Sequence, residues 1–177
     1  QVIERVFGIE KFFYTSMHAY TNQQHLADVP ADDLRNSRAA AENIIPTTTP
    51  SVAQLEHLFP TLSGKISGLA VQVPVPNGSL VDMVSFTRKR ITRTAINEVV
   101  RTAIAAQQQP FVEYSCDPLV SSDVKSSPYS CTFDSLGTMV LNDSTVKTIA
   151  WYDNGWGYAN RVVDLIQYLA TQEGGLV

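Results

Sequence analysis

The stretch from residue 68 to residue 88 restricts the fold more than any other part of the chain. Two runs rich in β-forming residues, 68–75 and 79–88, flank Pro76-Asn77-Gly78. Asn-Gly accepts the positive backbone angles of a tight reversal, so the two runs are expected to form a β-hairpin. Further strand-type segments are read at 11–20, 111–115, 130–134, 138–141 and 146–152. Between them lie helical patterns. Ile96, Val99, Val100, Ala103 and Ile104 recur at helical spacing, with Thr92 as a cap and Pro110 beyond the end. Thr49 and Pro50 form a helix start, with Leu55, Leu58 and Phe59 as the buried face and Pro60 as the stop. A last helix over 156–171 presents Val162, Leu165, Ile166 and Leu169 inward, and Glu173-Gly174-Gly175 frays its end. Val2, Ile3, Val6 and Phe7 share one helical face ahead of Gly8. That stretch is about two turns with no N-cap, and reads as the tail of a longer helix. Strands joined by turns, with helices interspersed, predict an α+β fold. It is a mostly antiparallel sheet with helices packed on one face.

The chain has 177 residues, of which 44% are hydrophobic, enough for one domain (1–177) with a sizeable core. Thirteen Lys and Arg against seventeen Asp and Glu give a net charge of -4, which leaves no basic footprint for nucleic acid. The dense cationic run, Arg88-Lys89-Arg90, reads as a solvated strand end before a helix. No apolar run nears the roughly 20 residues of a membrane span, and the first residues do not resemble a signal peptide. Cys116 and Cys131 form neither a metal cluster nor a disulfide framework, and are expected to be reduced thiols in a cytoplasmic protein. Ser122-Asp123 and Asp153 read as turn caps, and Trp151, Tyr152 and Trp156 as packing residues.

His18 ends the first long strand and opens a polar loop over 21–38. A loop of that length in a compact domain is usually functional. An imidazole at its mouth suits a general base.

The segments HAYTNQQ, DLRNSRAAAENIIPTTT, VPVPNGSLVDMV, DPLVSSD and VKTIAWYDNGWGYANRVVDL occur in this order over nearly the whole chain. Together they resemble the C-terminal catalytic domain of the glyceraldehyde-3-phosphate dehydrogenase family. The resemblance implies an oxidoreductase of glycolysis, a homotetramer using NAD or NADP and a phosphorylated aldehyde. It implies a cysteine that attacks the aldehyde, a hydride passed to the cofactor, and a thioester released by phosphate. His18 matches the histidine that draws the cysteine's proton. Thr21 matches a hydroxyl at the substrate phosphate and Thr49 one at the attacking-phosphate site. Asn154 matches the residue holding the nicotinamide amide, and Tyr158 an aromatic near its ring. The loop from Thr21 matches one that reaches a neighbouring subunit's cofactor.

The family's cysteine motif precedes the helix that ends at Phe7, and neither Cys116 nor Cys131 matches it. There is no Gly-rich dinucleotide fingerprint after a strand. The Rossmann domain is therefore expected to lie outside this chain, and the chain alone is expected to be inactive and to bind no cofactor tightly.

Five positions depart from the family pattern. Asn36 and Gln72 stand where arginine is usual, and each lost charged contact is worth roughly 1.5–3 kcal/mol. Pro50 replaces a glycine and removes an N–H. Gln23 replaces a small polar or acidic residue, and Gly155 a glutamate. The changes gather on phosphate handling, whereas His18, Asn154 and Tyr158 are retained. Three readings follow: the catalytic half of such a dehydrogenase, a paralogue with another aldehyde or acyl acceptor, or a non-catalytic scaffold or regulatory module.

Overall fold

The computed structural model describes residues 1–107 and 110–173. The sheet begins with β1 (Ile9–Ala19), the short β2 (Ile45–Thr47), β3 (Ile66–Val73) and β4 (Ser79–Thr87). It is completed by β5 (Val112–Ser115), β6 (Cys131–Leu141) and β7 (Thr145–Tyr152). The helices are α1 (Val2–Phe7), α2 (Ser51–Leu58), α3 (Arg93–Ala105) and α4 (Trp156–Glu173). Gly174 and Gly175 lie outside the described residues.

All seven strands form one sheet in the order β2-β3-β1-β4-β7-β6-β5. The β1–β3 and β5–β6 pairs are parallel and the other four are antiparallel, so the mostly antiparallel α+β architecture is observed. The segments read as separate strands at 130–134 and 138–141 are one strand with an irregularity between Asp134 and Met139.

The expected hairpin is not formed. β1 lies between β3 and β4, parallel to one and antiparallel to the other. Residues 74–78 arch over the end of β1, a distance of about two strand spacings, or roughly 10 Å. The Tyr20 N–H donates to Val75 O at 3.1 Å and the Ala19 N–H to Ser79 Oγ at 3.1 Å, so the arch grips the strand it crosses. Gly78 sits at φ 88°, where a Cβ would lie 1.9 Å from Ser121 O. The turn chemistry was real, but a reversal does not encode whether a third strand enters between its arms.

Two clusters fill the space between the sheet and the helices. In one, Phe7, Ile91, Ile96 and Val100 meet Phe133 and Val146. α3 contributes its buried face, with Ile96 fully buried, and Thr92 Oγ1 accepts the Ala95 N–H as the expected cap. Each such buried aliphatic side chain stabilises by roughly 1.5–3 kcal/mol. In the other cluster Ile9, Tyr14, Leu62 and Ile66 pack with Val52, Leu55 and Phe59 from the α2 region. Leu58, expected on that buried face, is exposed instead.

The opposite sheet face stays open. Phe13, Leu69, Met139 and Leu141 are exposed there, beside the Lys147–Asp82 ion pair at 2.6 Å. The basic run at 88–90 is exposed as expected, with Lys89 Nζ donating to Val6 O and Arg90 paired with Asp143.

The apolar face of α4 was expected to turn inward and does not. Leu165, Ile166 and Leu169 are exposed, and neither cluster includes an α4 residue. Only the first turns of α4 are held: Arg161 stacks over the Phe111 ring at 4.1 Å, and a Cβ on Gly157 would lie 2.8 Å from Tyr129 O. Helical periodicity marks a side that seeks apolar cover, and this chain's own sheet does not supply it. Among the described residues no helix is long and apolar enough to cross a membrane.

Candidate functional site

Strand alternation builds the floor of a polar pocket. Ser16 and His18 point to one side of β1, and His18 stands opposite Gln72 on β3. Gln72 is in turn opposite Ile45, and Ala70 opposite Thr47, so β2 carries Thr47-Thr48-Thr49 to the rim and into α2. From the far side of β4, Tyr152 at the end of β7 reaches over. Its phenol is 2.7 Å from Ser16 Oγ, and its ring stands edge-on to the His18 imidazole at 5.9 Å. The cavity measures about 590 Å³, and Thr21, Asn22, Gln23 and Asn154 complete the rim.

His18 Nδ1 lies 2.7 Å from Ala19 O. A carbonyl oxygen only accepts, so Nδ1 carries the proton. In the neutral ring Nε2 is then the basic nitrogen, and no described group pairs with it. Burial pushes the Tyr152 phenol up from its ordinary pKa, against the opposing hydrogen bonds from Ser16 and Ser79. Tyr152 therefore stays a neutral hydroxyl beside the imidazole.

The rim is braced locally. Thr21 donates both its N–H and its hydroxyl to Gln24 Oε1, at 2.8 and 3.0 Å. Thr49 Oγ1 accepts the Ser51 N–H at 3.2 Å and donates to Ser51 Oγ at 3.1 Å, while Pro50 occupies the N-cap of α2. Asn154 follows the buried Asp153, whose carboxylate accepts four hydrogen bonds from three segments. Oδ1 accepts from the Gly155 and Trp156 N–H groups at 3.0 and 2.8 Å. Oδ2 accepts from Asn77 Nδ2 and the Ser126 N–H, both at 2.9 Å. Burial opposes ionisation of Asp153, but these donors outweigh it and hold the carboxyl below the ordinary aspartate range. The sequence reading of Asp153 as a turn cap is correct, and the residue also links the arch at Asn77 to the base of α4.

Of the residues expected at the site, His18, Thr21, Thr49, Gln72 and Asn154 line one pocket. Asn36 does not. It lies within the long loop, donating to Asp33 Oδ2 at 2.9 Å. Tyr158 does not either, being 73% exposed on α4. Cys116 is exposed, while burial pushes the Cys131 thiol up to about 11; neither lines the pocket. Sequence reasoning missed Ser16 and Tyr152. Ser16 was within reach, two residues before His18 on the same strand face. Tyr152 was not, since it sits 136 residues from Ser16 and its contacts exist only after the sheet closes. Among the described residues no cluster of His, Cys, Asp and Glu could hold a metal ion.

The ends of β1, β3 and β7, the threonine-rich approach to α2 and a histidine with one nitrogen locked together form a polar pocket in an α+β domain. The family described as "Glyceraldehyde 3-phosphate dehydrogenase, C-terminal domain" matches residues 1–154. Glyceraldehyde-3-phosphate dehydrogenase 2 of Bacillus subtilis is 46% identical over 172 residues, 97% of this chain and 51% of that protein. The protein of the same name from Streptomyces avermitilis is 45% identical over 172 residues, with the same coverage. Glyceraldehyde-3-phosphate dehydrogenase of Geobacillus stearothermophilus is 43% identical over 172 residues, again 97% and 51%. This chain belongs to the glyceraldehyde-3-phosphate dehydrogenase family and is similar to its C-terminal domain. It spans about half the length of the curated relatives it matches.

Proposed function

We propose that this chain is the histidine-bearing catalytic domain of an NAD(P)-dependent aldehyde oxidoreductase, and that a nucleotide-binding half and a cysteine nucleophile complete it. The observation that carries the reading is the His18 ring at a polar cavity, with Nδ1 held by Ala19 O and Nε2 left as the base. In the proposed reaction Nε2 takes the thiol proton as sulfur adds to the aldehyde carbon. A bound NAD or NADP would supply the acceptor for the hydride lost from that carbon, so that the sulfur adduct becomes a thioester. The imidazolium can then return its proton as an acyl acceptor displaces sulfur.

Asn154 fits a nicotinamide carboxamide, since its own amide offers both a donor and an acceptor at the rim. Tyr152, its hydroxyl tied to Ser16, stands edge-on beside the imidazole and helps to position it. The bare apolar face of α4 suits contact with the nucleotide-binding half. The open sheet face, with Phe13, Leu69 and Met139 exposed, suits a homo-oligomer, in which a tetramer is the family expectation. A cytoplasmic, glycolytic setting accords with this reading.

The test is a chimera carrying the N-terminal half of the Bacillus subtilis relative ahead of Gln1. It is expected to reduce NAD with an aldehyde, and His18→Gln is expected to lower kcat by about 10²–10⁴. The 177-residue chain alone is expected to give no turnover. A folded chimera with no aldehyde-dependent NAD reduction would defeat the proposal and leave the scaffold reading. So would a His18→Gln variant with unchanged kcat.

A further inference from the structure

We infer that Ser79, a buried side chain outside the pocket, positions His18 and fixes which of its ring nitrogens serves as the base. This role rests on the reading of His18 as the base of a dehydrogenase. His18 Nδ1 gives its proton to Ala19 O at 2.7 Å. The bond made at one ring nitrogen decides whether the other is left bare to accept a proton. The base therefore depends on where the backbone of residues 18–20 sits. Two anchors hold that backbone, and both come from the crossing segment that leads into β4. The peptide joining His18 to Ala19 donates its N–H to Ser79 Oγ at 3.1 Å. The next peptide, whose carbonyl holds Nδ1, donates its N–H from Tyr20 to Val75 O at 3.1 Å. Hydrogen bonds in such a chain polarise and strengthen one another.

Ser79 is 1% exposed and does not line the cavity, so it acts only through its neighbours. A serine hydroxyl has one proton to give and two lone pairs that accept. One lone pair of Ser79 takes the Ala19 N–H, which leaves the proton for the Tyr152 phenol oxygen. Tyr152 in turn stands edge-on to the imidazole at 5.9 Å and bonds to Ser16. One hydroxyl thus secures both the backbone beneath the ring and the aromatic side chain beside it. The anchor itself is pinned, because Asn77 Nδ2 donates to Asp153 Oδ2 and Gly78 lies against Ser121 O. Ala19 is also 1% exposed, so water does not readily replace a lost Ser79 hydroxyl at its N–H. Without that hydroxyl the peptide tilts toward another partner and the Nδ1 bond loosens. The ring proton then passes to Nε2 in part of the molecules, and a ring so protonated has no base to offer the pocket.

The proton's place on the neutral His18 ring is read by long-range proton–nitrogen NMR on the labelled 177-residue chain, with His18→Gln assigning the signals. In the wild type, Nδ1 is expected to carry the proton. Ser79→Ala is expected to lower the ratio of Nδ1–H to Nε2–H by about fivefold, the worth of one ordinary hydrogen bond. Ser79→Cys keeps the shape with a weaker donor and acceptor, and is expected to shift the ratio the same way by less. It decides the matter if the alanine variant does not fold. A wild-type ring protonated mainly at Nε2 would overturn the assignment, and so would an unchanged ratio in either folded variant. In the chimera, Ser79→Ala is expected to lower kcat by about 10–100-fold and to change KM for the aldehyde by less than about twofold. Added to His18→Gln it is expected to cost nothing further, since it acts through that ring. An equal loss in both backgrounds would show a role independent of His18 and sink the assignment. A folded chimera without turnover defeats the dehydrogenase reading, and the proton ratio in the chain alone still decides whether Ser79 sets the ring.

Discussion

Replacing Asp153 tests whether the pocket rim is held by one carboxylate. Asp153 is buried, and its two oxygens accept four hydrogen bonds, from Gly155, Trp156, Asn77 and Ser126. In Asp153→Ala all four donors lose their partner. Gly155, Trp156 and Ser126 are exposed residues, so water can replace much of the lost pairing for their N–H groups. Loss of the cap at the start of α4 costs about 1 kcal/mol. The Asn77 and Ser126 contacts, charge-assisted and bridging distant segments, add about 1–3 kcal/mol together. The expected total is about 2–4 kcal/mol. Asp153→Asn keeps one oxygen but turns an NH₂ toward two existing donors, so it should recover about half or less. Urea unfolding followed by the fluorescence of Trp151 and Trp156 reads both variants. The folded carboxyl titrates below its unfolded value of about 3.9, so its stabilisation is present above that pH and is lost as pH falls through the folded value. The gap between wild type and Asp153→Asn should therefore narrow below about pH 4. A loss under about 0.5 kcal/mol in Asp153→Ala, or a gap that widens in acid, would show that the rim is held by something else.

Gly68→Ala should destabilise by about 1–3 kcal/mol through overpacking, since a Cβ there would lie 2.2 Å from Tyr14 Cε1. Combining it with Tyr14→Leu should recover part of that loss in a double-mutant cycle, and additive effects would count against the clash. Tyr14→Phe should be neutral or stabilising by about 1 kcal/mol in a thermal melt, because the Tyr14 hydroxyl is buried with no partner; a clear loss would contradict that. With the Cys131 thiol pushed up to about 11, about one molecule in a thousand is thiolate there at pH 8. Iodoacetamide should therefore label exposed Cys116 first and Cys131 only on unfolding, and equal labelling by mass spectrometry would refute this.

Sequence alone determined most of the elements, although it split β6 in two and missed the short β2. The α3 pattern and its Thr92 cap appear as read, because 3.6-residue periodicity and an N-cap hydroxyl act within a few residues. Chain order and local motif also identified His18 at a strand end, and the run at 47–50 as the approach to α2. Neighbour relations across the sheet were decided only in three dimensions. The turn at Asn77-Gly78 satisfies its local geometry whether its arms pair with each other or clasp β1. The choice went to β1, whose Tyr14 needs the bare Gly68 beside it. The same nonlocal pairing set Gln72 against His18 and swung Tyr152 into the pocket. It left Asn36 and Tyr158 outside, where resemblance had placed them within. A helical apolar stripe such as that of α4 states a demand for cover, and only the surrounding tertiary structure states whether this chain meets it.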